Sequence, residues 1–143
     1  MPTMDQTQLI NYLIANGASW IRDQRKSYES SAEPFPIRVK THLQPYFENT
    51  ILDKAKIVQI PTLENPPFYE SLAQYGISIP LDFSSMFGVT LDDTVVLAHS
   101  LLGGTNLDQL IFHELVHVTQ YHFLGVDEFM KQYVYGWASN SFD

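Results

Sequence analysis

The stretch over residues 106–125, NLDQLIFHELVHVTQYHFLG, constrains the fold of this chain more than any other. Apolar residues recur through it at helical spacing, and both ends carry boundary signals. Asn106 can cap the N-terminus with Gln109 at the third helical position, and Asp108 suits the positive end of the helix dipole. Gly125 suits the residue just past the C-terminus. On a helix that turns about 100° per residue, His113 and His117 fall roughly 40° apart. Gln120 and Tyr121 flank them, and Glu114 lies about 100° round from His113. Leu107, Ile111, Phe112, Leu115, Val116, Val118 and Phe123 take most of the remaining circumference. The expected element is a largely buried helix with one polar stripe, centred on two histidines.

Burying two imidazoles and a carboxylate is unfavourable unless they are hydrogen-bonded or hold a metal. Histidines at i and i+4 can bring one nitrogen each to a single ion at about 2.0–2.1 Å. The intervening glutamate is offset, so it reaches a water on that ion better than the ion itself. His113-Glu114-x-x-His117 is thus the H-E-x-x-H pattern, with two ligands and a general base. With five His and seven Glu in 143 residues, independent placement would produce the pattern roughly 0.008 times. Zinc is the expected ion. The chain has no cysteine, which excludes thiolate ligands and disulfides.

The length, with 45% apolar and 17% charged residues, fits a single domain over residues 1–143. A formal net charge of −8 disfavours phosphate backbones and anionic lipid, so neither nucleic acid nor a membrane surface is an expected partner. The N-terminus lacks a basic start and an apolar run, and no apolar stretch approaches the length of a membrane span. A soluble, cytoplasmic protein is expected. Oligomeric state is not readable.

Upstream, Asp5 and Gln8 form a capping-box pattern opening a helix that carries Leu9, Ile10, Leu13 and Ile14. Asn16-Gly17 should weaken or end it, with Trp20 and Ile21 able to resume the same face. Residues 27–36 read as a loop. Residues 37–52 read as helical, with Pro45 starting a new helix. Residues 55–60 read as a short strand, 61–67 as a loop and 68–76 as a short helix ending at Gly76. Residues 77–89 are ambiguous between strand and turn. Leu91-Asp92-Asp93 is a turn into the β-branched strand Thr94-Val95-Val96-Leu97. The class is α+β, with several helices outnumbering a small sheet.

The run LIFHELVHVTQYHFLGVDEFMKQYVYGW resembles small bacterial zincin-like proteins that carry a HELVHV-x-QY helix. The likeness extends more weakly to IVQIPTLENPPFYESLAQYG and GVTLDDTVVLAHS, so it touches about half the chain. It implies a zincin-like fold and a metallopeptidase-like hydrolase. It also implies that Thr94–Ala98 is a sheet edge to which an extended peptide or protein substrate would pair. The third ligand does not follow. A metzincin places a His ten residues after the first, following a Gly, and here those positions hold Phe123 and Gln120. His122 is one residue off and points to the opposite side. A gluzincin uses a Glu on a later helix, and the resemblance places that helix beyond Trp137. A further C-terminal segment past Asp143 is therefore expected.

Asp127 and Glu128 begin the next helix and read as capping and dipole residues. Phe129, Met130, Tyr133, Val134 and Trp137 read as its packing face. Tyr121 reads as core or as a transition-state donor, His99 and His42 as loop and surface histidines, and Asp92-Asp93 as a turn. No side chain after Val118 is placed to complete the ligand set. Two functions remain open. One is a zinc hydrolase, most simply a peptidase, using a metal-bound water with Glu114 as base. The other is a non-catalytic metal- or peptide-binding module on the same scaffold.

Overall fold

Asp5 does cap the first helix. Its side chain accepts from the Gln8 backbone N–H at 2.8 Å, and Gln8 Oε1 accepts from the Asp5 N–H at 3.0 Å. From there a computed structural model describes residues 4–103 and 106–139. In chain order the elements are α1 (Gln6–Tyr28), β1 (Glu33–Pro34), α2 (Ile37–Leu43), α3 (Asn49–Lys54), β2 (Lys56–Ile60), α4 (Phe68–Ala73), β3 (Gly88–Leu91), β4 (Thr94–Ala98) and α5 (Leu107–Ser139). Single 3₁₀ turns at Phe83–Ser85 and His99–Leu101 precede β3 and follow β4. The class is α+β, with five helices and a small mixed sheet.

The sheet order is β1-β2-β4-β3. β2 runs parallel to β4, while β1 and β3 pair antiparallel with β2 and β4. This corrects the expectation that Thr94–Ala98 is an edge. β4 is interior, and all five of its residues are buried. Val95 and Leu97 face a cluster with Ile51, Leu52, Leu115 and Val118; Val96 and Ala98 face one with Ile21, Leu63 and Tyr121. A strand covered on both faces needs an unbroken apolar run, and Val95-Val96-Leu97-Ala98 is one. The edge on this side is β3.

Three local expectations are also corrected. Asn16-Gly17 does not interrupt α1, which runs 23 residues. Gly17 is a contact point: a Cβ there would lie 2.9 Å from Met130 Sδ, so the missing side chain lets α1 approach the end of α5. Pro45 starts no helix; it sits in the turn between α2 and α3, and α3 is capped at Glu48. Residues 33–34, expected in a loop, pair with β2.

The last element is two helices joined at Gly125, whose backbone (φ 78°, ψ 165°) lies outside any helical region. Residues 107–124 form one limb and 126–139 the other. Asn106 caps the first, accepting from the Gln109 N–H at 3.2 Å. The first limb is not buried all round as expected. Leu115 and Val118 are enclosed by the sheet and α3, but Phe112, Val116 and Phe123 are exposed, Phe123 at 68%. On that flank the Tyr46 and Phe47 rings of the turn after α2 meet Phe112, and Lys54 of α3 reaches His122.

α1 is tied to the β3–β4 hairpin by Arg25, whose Nε and Nη2 donate to the two carboxylate oxygens of Asp93 at 3.0 and 3.1 Å. Burial pushes the Asp93 carboxyl up, but the Arg25 and Thr94 hydrogen bonds outweigh it, so the group sits below its ordinary value. A depressed carboxylate contributes stability above its unfolded value, about 3.9, and loses it as pH falls through the folded one. Replacing Arg25 with Met is expected to cost about 1 kcal/mol at neutral pH and less as pH drops through that window, read from urea midpoints. Gly125 tests the hinge differently. No atom lies within 4 Å of a Cβ built there, so the penalty of Gly125→Ala is conformational alone. It is expected at about 1–3 kcal/mol with the denaturant slope unchanged.

Candidate metal centre

His113 and His117 stand on the same side of the first limb of α5, one turn apart. Their Nε2 atoms are 3.3 Å apart and their rings meet edge to face. Two nitrogens each about 2.0–2.1 Å from one ion, at a tetrahedral angle, stand about 3.3–3.4 Å apart, so the separation of the pair matches that of two ligands to one zinc. The other nitrogen of His117, Nδ1, lies 2.8 Å from Gln120 Oε1. An amide oxygen can only accept, so Nδ1 carries the proton and Nε2 presents its lone pair. Gln120 thereby does what outer partners of metal-binding histidines do. It was legible only as a member of the polar stripe.

Glu114 lies on the packed side of the same turn, 3% exposed. The Thr90 hydroxyl on β3 reaches both its backbone carbonyl, at 3.1 Å, and its Oε1, at 3.4 Å. Burial holds the carboxyl above the ordinary range, against the opposing pull of His117, His113 and the Thr90 hydrogen bond. Gly88, two residues before Thr90 on the same strand face, would bring a Cβ to 3.0 Å from Leu97 Cδ2 and 3.8 Å from the Glu114 carboxyl carbon. Its bareness lets the strand lie close to β4 and to the carboxylate. Neither Thr90 nor Gly88 was identified in the sequence: Gly88 lies in residues 77–89, which are ambiguous between strand and turn, and Thr90 falls between that stretch and the turn at Leu91.

All three residues line a cavity of about 410 Å³ between α1, the 66–90 segment and the second limb of α5. The fold-back at Gly125 creates it by bringing Phe129, Tyr133 and Trp137 round to face the histidines. These rings, read in the sequence as a packing face, do pack, yet they also form the cavity wall. The Phe129 ring meets His117 edge-on at 5.9 Å and stacks on Tyr121 at 3.9 Å. Tyr121 is a core residue.

Other singled-out groups lie elsewhere. His122 Nδ1 is 3.1 Å from Lys54 Nζ on the exposed flank. His42 is on α2 and His99 in the turn after β4, both exposed. Asp127 pairs with Arg22 at 2.8 Å, and Glu128 accepts from Gln132 within its own limb. Asp92-Asp93 is the hairpin turn, with Asp92 at φ 61°. Asp143 lies outside the described residues. Among the described residues no three His, Cys, Asp or Glu side chains converge to hold a metal unaided. No helix among them is long and apolar enough to cross a membrane. No family model, curated protein or solved structure matches this chain.

The tautomer of His117 is open to measurement in metal-free protein. Long-range ¹H–¹⁵N spectra, recorded where imidazoles are neutral, are expected to show Nδ1 protonated. Changing Gln120 to Ala should move proton occupancy toward Nε2; an unchanged spectrum would show that Gln120 does not orient the ring.

Proposed function

We propose that the chain is a zinc-dependent hydrolase on a zincin-like scaffold, acting on peptide bonds, with the ligand set of gluzincin rather than metzincin type. The observation that carries this reading is the 3.3 Å approach of the two Nε2 atoms with a buried carboxylate on the intervening turn. His113 and His117 would hold the zinc, with Gln120 fixing the donor nitrogen of His117. Zinc bound there supplies Lewis acidity, which lowers the pKa of water and polarises a carbonyl. Glu114 takes a proton from the attacking water and returns it to the leaving amine nitrogen. Thr90 holds its Oε1 in position for both transfers.

Peptide as substrate rests on β3. Val89 and Leu91 pair with Val96 and Thr94, and Phe87 accepts from the Ala98 N–H at 2.8 Å. In an antiparallel ladder the alternate residues, Gly88 and Thr90, turn their N–H and C=O groups to the other side. That side is the outer edge of the sheet; Gly88 is partly exposed there, Thr90 is buried, and both line the cavity. An extended peptide would add there as a further strand by pairing with Gly88, with its backbone beside Glu114. The edge thus serves the role that the resemblance assigned to Thr94–Ala98.

The second reading is a non-catalytic zinc- or peptide-binding module, favoured by the absence of a third protein donor among the described residues. One set of measurements separates the two. Zinc titration by calorimetry is expected to show a one-to-one site that His113→Ala abolishes and Gln120→Ala weakens about 10- to 100-fold. Glu114→Gln should keep the zinc and the fold while cutting peptide hydrolysis by at least about 100-fold. Zinc lost in that variant would make Glu114 a ligand; zinc bound with no hydrolysis of any peptide by the parent protein would favour the binding module.

A further inference from the structure

The cavity beside His113, Glu114 and His117 has a composition the hydrolytic reading does not require. No Lys, Arg or Asp lines it, and apart from Thr90 its side-chain polar groups are those three, tyrosine hydroxyls and the indole N–H groups of Trp20 and Trp137. One of those hydroxyls, on Tyr69, is already committed, donating to the Leu81 carbonyl at 2.9 Å. His113, Glu114, His117 and Thr90 gather at one end. Away from them the wall is aliphatic and aromatic, from Leu13 and Trp20 on α1 through Ile79 and Leu81 to Met130 and Trp137. The volume, about 410 Å³, is that of about a dozen waters at roughly 30 Å³ each. It therefore accommodates an apolar group of about a dozen non-hydrogen atoms, more than one aliphatic side chain.

We infer that this cavity is a specificity pocket for an uncharged, apolar or aromatic group carried by the substrate next to the bond at Glu114. The inference rests on the hydrolase reading for its link to the reaction, and on the cavity alone for the chemistry of what binds. A charged side chain placed there would lose its hydration and find no counter-charge beyond the groups at the polar end. An apolar one exchanges water for ring and methyl contacts, and full burial of a Leu- or Phe-sized group is worth about 10- to 100-fold in affinity. The outer edge of β3 fixes the direction of approach. A peptide paired along it at Gly88 points alternate side chains to the face that carries the Thr90 hydroxyl and Glu114, which is the cavity side. Met130 gives the wall some adaptability, since its flexible thioether is what closes over Gly17.

Two measurements on the full chain test this separately from the hydrolase reading. The first uses metal-free protein and the fluorophore 1-naphthylamine, which is neutral and mostly apolar and whose size matches the cavity. Saturable one-to-one binding is expected. Leu81→Trp and Ile79→Trp, which fill the pocket from two partly exposed wall positions, should each weaken it by about tenfold or more. Phe123→Ala, on the outer flank, should leave it unchanged. Absence of binding, or loss on Phe123→Ala with neither Trp variant having an effect, overturns the pocket. The second uses zinc-loaded protein and a peptide library. Phe, Leu or Met beside the cleaved bond should be favoured about 10- to 100-fold over Lys or Glu, and Leu81→Trp should erase that preference. Cleavage without such preference overturns the pocket and leaves the hydrolase standing. Fluorophore binding that responds to both Trp variants, with no peptide cleaved, overturns the hydrolase and leaves an apolar ligand site.

Discussion

The position of Glu114 is the constraint around which the rest of the site is arranged. A carboxylate on the packed side of a helix is costly to bury, so something must either hydrogen-bond it or leave it a route to solvent. Here both are done by one strand. Thr90 reaches the carboxylate and the carbonyl of the same residue, and Gly88 offers no side chain to cover it. β3 must therefore lie directly against the first limb of α5. β4 pairs with β3 on one side and with β2 on the other, which places it in the middle of the sheet and leaves β3 outermost.

That chain of consequence explains which parts were legible. The helix, its cap at Asn106, its stop at Gly125 and the convergence of His113 with His117 depend on residues within one turn of each other, so spacing suffices to read them. The place of β4 in the sheet does not. It depends on which strand covers Glu114, and that strand lies in residues 77–91, where the periodicity is weakest. The apolar run Val95–Ala98 already carried the local signal, since a half-exposed edge would alternate. The resemblance pointed the other way and was wrong on this element. Gly17 failed for a related reason. In isolation a glycine weakens a helix by up to about 1 kcal/mol. The approach of Met130 that makes it useful comes from a residue more than a hundred positions later.

The exposed flank of α5 shows the limit of periodicity in another way. Phe112, Val116 and Phe123 are as apolar as Leu115 and Val118, and a helical wheel gives no reason to separate them. What separates them is that a four-stranded sheet and one short helix, α3, supply only enough surface to cover one side. Coverage is a property of the partners and their number, not of the helix being covered.

The cavity belongs to the same class of non-local outcome, but it also says something about what the fold is for. Gly125 takes a backbone conformation that residues with a side chain adopt only at a cost, and the surroundings leave that position open. The return limb packs on α1 through Met130, Val134 and Trp137, and its Phe129 ring reaches His117 edge-on. Open space nevertheless remains in front of Glu114, although apolar surface left in contact with water costs stability. Folds keep such departures from the best-packed state chiefly where activity needs them. Three features at this place depart together: a hinge that favours glycine, a sheet edge left unpaired and a carboxylate buried beside open space. They meet at the two imidazoles whose Nε2 atoms stand 3.3 Å apart.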